Sequence, residues 1–127
     1  ATTGVAEDVS VTAYDSNGNI KTDYTGTITL DTNGTATTIS WTLVSGSGTF
    51  SDGGSSVDTA TYAYADSDDG VVNLSITDFT AETVNISATG DSKTDDDTEG
   101  NLQFVSSGID HFVISHDGNA ISGSPEN

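Results

Sequence analysis

Hard oxygen donors are the one chemistry this sequence concentrates. In Asp95-Asp96-Asp97-Thr98-Glu99-Gly100, carboxylates recur at every second position, Asp95, Asp97 and Glu99, and a glycine that permits a bend closes the run. Flexible loops of this kind surround Ca²⁺ with about six to eight oxygens, so calcium is the cofactor these residues invite. The twelfth position counted from Asp95 is Ser106 rather than a bidentate Glu, which sets the loop apart from an EF-hand. A shorter cluster, Asp66-Ser67-Asp68-Asp69-Gly70, offers Asp66, Asp68 and Asp69. Asp117-Gly118-Asn119, with Glu7 or Glu126, offers a third. Each also has a plainer reading as a solvated turn, because Asp, Asn and Gly favour turns for reasons unrelated to metal.

Other chemistries find little to work with. Both histidines, His111 and His116, lie near the C-terminus, and no Gly-x-Ser-x-Gly elbow is followed by a matching acid and histidine. Cys is absent, which removes thiol catalysis, zinc–thiolate sites and disulfides together. No catalytic residue is expected, and the chain does not read as an enzyme. Twenty acidic residues against two basic ones give a formal charge of −18, a field that repels phosphate backbones and anionic headgroups. Nucleic-acid and membrane-surface partners are therefore not expected, nor is membrane insertion, because the apolar stretches fall far short of the roughly 20 residues a spanning helix needs; no basic-then-apolar leader opens the chain.

The elements that must position these residues are strands. Apolar residues make up 32% of the 127, and 21 Thr, 17 Ser and 14 Gly supply much of the rest, a composition suited to one secreted β-domain. Helical periodicity is absent while period-two alternation recurs. Val9, Val11 and Ala13 alternate with polar positions until Asp15-Ser16-Asn17-Gly18-Asn19, whose Asn-Gly pair suits a tight turn. Ile28 and Leu30 mark the next strand. Ile39, Trp41 and Leu43 mark another, which places the single Trp of the chain in the core. Residues 57–65 alternate so that either face could be buried, and the tyrosine face, Tyr62 and Tyr64, is expected inward. Val72, Leu74 and Ile76, then Val84, Ile86 and Ala88, read as an antiparallel pair. Tyr14, Tyr24 and Phe79 join the tyrosines as core residues rather than a sugar platform. Asn33, Asn73 and Asn85 each begin an Asn-x-Ser/Thr tripeptide, with Asn73 and Asn85 turned outward by alternation. Two further apolar runs, residues 102–105 and 109–115, follow a polar stretch. About seven to nine short strands spaced by turns describe a sandwich of two antiparallel sheets.

The ends of the chain resemble each other. Ala1-Thr2-Thr3-Gly4-Val5-Ala6-Glu7-Asp8 aligns with Ala120-Ile121-Ser122-Gly123-Ser124-Pro125-Glu126-Asn127, an offset of 119 residues. On that reading the body comprises residues 1–101, and residues 102–127 begin the following repeat or form a donor strand. The first unit then lacks its leading strand, and the tail fills the neighbour by strand addition, with Phe104, Ile109, Phe112 and Ile114 at the interface. The alternative is a tail that closes its own sheet.

Residues 9–19, with the Asp-Ser-Asn-Gly-Asn turn, the Gly-rich segment 41–54 and Asp69-Gly70-Val71-Val72-Asn73-Leu74-Ser75-Ile76 resemble the bacterial immunoglobulin-like repeats of invasin- and intimin-type surface proteins. Ile20 stands where that family often has proline. The resemblance, covering roughly residues 9–88, implies an immunoglobulin-like β-sandwich, all-β, strung in tandem at the extracellular cell surface as a fibre or adhesin component. Its partners would be copies of itself. A second expectation is a self-contained adhesin domain holding a glycan or protein ligand of a host or surface in loops such as 51–56.

Overall fold

A computed structural model of the chain describes residues 1–109, 111–116 and 118. Among the described residues ten strands follow one another: β1 (Glu7–Thr12), β2 (Thr27–Thr32), β3 (Ile39–Ser45), β4 (Thr49–Asp52), β5 (Ala60–Ala63), β6 (Val71–Asp78), β7 (Thr83–Val84), β8 (Ile86–Gly90), β9 (Lys93–Thr94) and β10 (Leu102–Gln103). They build an antiparallel all-β sandwich. One sheet has the order β1-β6-β3, a second β4-β5-β2-β8-β9, and β7 pairs with β10.

Alternation explains which side of each sheet is buried, because successive side chains point to opposite faces. In the first sheet Val9 stands opposite Leu74, Val11 opposite Val72 and Trp41 opposite Ile76. In the second, Leu30 stands between Ala60 and Ala88, with Ile28 opposite Tyr62. These inward residues meet in a single core. Trp41 is buried as expected, and its indole N–H donates to the Asp58 carbonyl at 2.8 Å. The tyrosine face is also the inward one. Tyr64 meets Tyr24 and Tyr62 edge-on, with ring centroids 5.2 and 5.1 Å apart, the geometry that the ring quadrupole favours.

The turn after β1 forms where the sequence places it. Asp15 Oδ1 accepts the amides of Asn17 and Asn19, both at 2.9 Å, and Gly18 takes a φ of +82°, which carries the chain round until Ile20 bridges Tyr14. Tyr14 and Phe79 are exposed rather than in the core. Asn73 faces outward, whereas Asn85 is half-buried.

Two expectations about pairing need correction. The Val72 to Ile76 strand does not pair with the strand that carries Val84, Ile86 and Ala88. β6 already has β1 on one side and β3 on the other, and a central strand has no free edge to offer, so the chain crosses after Asp78 to the other layer. The apolar ribbon after residue 101 also divides in two. Leu102 and Gln103 pair with Val84 and Thr83 of the same chain, and Phe104 is completely buried in its core. Val105 then donates its amide to Ala1 O and accepts from the Thr3 amide, both at 3.0 Å. A boundary after residue 101 thus cuts through one body. Residues 109 and 111–115 lie in no strand, and residues 120–127, which carry the second copy of the end repeat, lie outside the described residues.

Candidate functional site

Acidic side chains reach their positions by three different routes. In the loop after β9, Asp95, Asp97 and Glu99 bring carboxylate oxygens within 4.8 Å of one another; no other such group of three occurs among the described residues. Local bonding shapes the loop: Asp95 accepts the Ala88 amide at 3.1 Å through Oδ1 and the Asp97 amide at 3.2 Å through Oδ2. Asp97 has a φ of 58°, in the left-handed region that Asp tolerates better than most residues. Three hard donors could hold a divalent cation once further oxygens complete its shell. Exposed carboxylates at this spacing also simply repel one another.

Asp66, Asp68 and Asp69 form no second group of this kind. They sit at a short 3₁₀ turn, Asp66–Asp68, and the Asp68 carboxylate is occupied as a structural tie. Its Oδ1 accepts the Ser47 amide at 2.6 Å, and its Oδ2 accepts the Tyr62 hydroxyl at 2.6 Å and the Ala65 amide at 2.9 Å. Partial burial pushes this carboxyl upward, but the bonds from Ser47, Tyr62 and Ala65 outweigh it and hold Asp68 below the ordinary 3.8. The same contact, after burial, raises the Tyr62 hydroxyl.

The third route was missed in the sequence. Asp78 is completely buried; its Oδ1 accepts the Thr38 hydroxyl at 2.9 Å and the Thr80 amide at 2.8 Å. Glu82 lies beside it and accepts from the Thr35 amide at 2.6 Å and hydroxyl at 3.0 Å. Burial, then the nearby Glu82 carboxylate, pushes Asp78 above its ordinary value, while the Thr35 amide holds Glu82 low. Burial and the neighbouring Glu82 thus favour the neutral form of Asp78 over its carboxylate. Asp58, also buried, accepts the Thr32 hydroxyl. A signal existed for both buried acids: Asp58 falls in step with Ala60, Tyr62 and Tyr64, and Asp78 with Val72, Leu74 and Ile76. A carboxylate at an inward position must be bonded or protonated.

The expected interface residues separate. Phe104 belongs to the core of its own chain. Ile109, Phe112 and Ile114 stand 74%, 83% and 89% exposed, with Val113 between the last two equally open. An aliphatic and aromatic ribbon this exposed is unusual on a chain with 20 acidic residues. None of the described helices is long and apolar enough to cross a membrane.

No protein family, curated protein or solved structure matches this chain.

Proposed function

We propose that the chain is a structural repeat unit of an extracellular bacterial fibre or long surface adhesin, an immunoglobulin-like bead joined end to end by donation of its C-terminal ribbon to a neighbouring copy. It works by length and stiffness rather than by catalysis. The observation that carries this reading is the contrast along one short segment. Leu102, Gln103 and Phe104 complete the body from which they come, whereas Ile109, Phe112 and Ile114 present bare apolar surface a few residues later. Burying a Phe and an Ile is worth roughly 1.5–3 kcal/mol each, so such a ribbon contributes little while solvated and several kcal/mol once seated. Strand addition supplies main-chain hydrogen bonds as well, and asks only that a sheet edge be open.

The test is the state of association of the purified 127-residue chain. Electron microscopy and sedimentation at rising concentration should show linear particles whose length grows, and Phe112→Asp with Ile114→Asp should abolish them. A chain that stays monomeric up to hundreds of micromolar would overturn the reading.

A further inference from the structure

Resting on the proposal of ribbon donation, the geometry points to where the ribbon goes: we infer that the open edge of β1 is the receptor, and that residues 109–115 of a second copy run antiparallel along it. Four strands stand at the edges of the two main sheets: β1, β3, β4 and β9. β9 has two residues and β4 four, and β3 is broken by a register shift between Leu43 and Ser45. Short or bulged edges resist strand addition. β1 differs, with six residues in unbroken register against β6 and no strand on its other side among the described residues.

Beside that edge runs a groove. Two adjoining hollows of about 580 and 480 Å³ share Val11, Thr12, Tyr14, Ala88, Asp95 and Asp96, and together follow β1 along its whole length. The floor is apolar, with half-buried Val9, Val11, Ile86, Ala88 and Leu102. Its length fits. Six β1 residues span roughly 20 Å and seven ribbon residues roughly 23 Å at about 3.3 Å per residue. Phe112 and Ile114, two apart, fall on one face of an extended chain and so can face the floor together. Glu7, Asp8, Asp95, Asp96 and Glu99 line the first hollow, and Asp91 joins Lys21 and Lys93 along the second, so acidic groups outnumber the two lysines, while residues 102–116 hold one acidic residue, Asp110, and both histidines of the chain. The ribbon thus adds little negative charge of its own to the groove.

Direction selects a second copy over the chain itself. Val105 is bonded to Ala1 and Thr3, Gly4 donates to the Asp78 carbonyl, and Glu7 stands opposite Ile76. The ribbon therefore leaves the body at the end where β1 begins. With only Ser106, Ser107 and Gly108 as a link, it could meet its own β1 edge only by running parallel to it. A ribbon from another molecule can enter at the opposite end and pair antiparallel, as β6 does on the other side, the somewhat more stable ladder. The contact is head-to-tail, joins unlike surfaces and need not close, which is the condition for a filament.

The test uses the full-length double variant Phe112→Asp, Ile114→Asp as the acceptor and a synthetic peptide of residues 106–116 as the probe. Binding is expected to slow hydrogen exchange at β1 amides not bonded to β6, and to leave β3 unchanged. A peptide carrying the same two aspartates should bind about 100-fold more weakly. A spin label on residue 106 of the peptide should broaden resonances near Thr12. Broadening near Glu7 instead, protection away from β1, or no binding at millimolar peptide would each overturn the assignment. The two proposals fail separately. Wild-type filaments untouched by excess peptide would retain the fibre and remove the β1 receptor, whereas protected β1 amides in a chain that never polymerises would retain the receptor and remove the fibre.

Discussion

Asp68 holds a loop, a strand and a turn together with one carboxylate, because Ser47, Tyr62 and Ala65 all donate to it. Charge-assisted bonds of this kind are worth about 1.5–3 kcal/mol to retain, so Asp68→Ala is expected to cost about 2–3 kcal/mol in urea denaturation with an unchanged slope. Its contribution follows the sign of its shift. A carboxyl held below 3.8 in the fold stabilises above that value and loses its effect as pH falls through the lowered folded value, so the gap between wild type and Asp68→Ala should narrow on acidification. Asp78 behaves in the opposite sense. Its carboxyl is raised, so the stability it lends is complete below 3.8 and declines as pH rises through the higher folded value. Asp78→Asn keeps an acceptor for Thr38 and Thr80 and removes the ionisation. Relative to wild type it should gain stability as pH rises above 3.8, and a difference independent of pH would contradict the raised Asp78 carboxyl.

Among the elements, β10 decides what the domain contains. Phe104 is completely buried and its amide donates to the Glu82 carbonyl at 2.8 Å, so the segment behaves as core rather than tail. Deleting residues 109–127 should leave the melting temperature within about 2 °C. Phe104→Ala in the full chain should cost about 3–5 kcal/mol, the range for an aromatic removed from a core that cannot close over the space. A small effect of Phe104→Ala would return the segment to the neighbour. Strand existence was legible from alternation at Val9, Ile28, Trp41 and Leu74, because a period of two needs only local information. Partners were not. Val84 and Ile86 lie close to Ile76 in sequence, yet proximity does not say whether a short connection turns back or crosses between layers.

For the molecule as a whole, charge sets the conditions of stability. With −18 to distribute over a single domain, self-repulsion opposes the compact state and also keeps copies apart. Lys21 is engaged with Asp23 at 3.0 Å in an exposed pair, which contributes little against that total. Raising NaCl from about 0.05 to about 0.5 M shortens the screening length several-fold and should raise the melting temperature by roughly 3–6 °C. Association should strengthen over the same range, since it brings an acidic rim on one copy against another negative body. A melting temperature that falls with salt would show that attractive ion pairs dominate the fold.

Local chemistry written in the chain was sufficient for the strands, the Asp15 turn, the buried Trp41 and the proximity of Asp95, Asp97 and Glu99, since each depends on residues two to six apart. The fate of a segment near the C-terminus was not local. Leu102 and Ile109 are similar aliphatic residues a few positions apart, yet one lies against Val84 and the other stands in solvent. That difference is decided by which strand edges remain available once the sandwich closes, a property of the assembled sheets and not of either residue's neighbours in sequence.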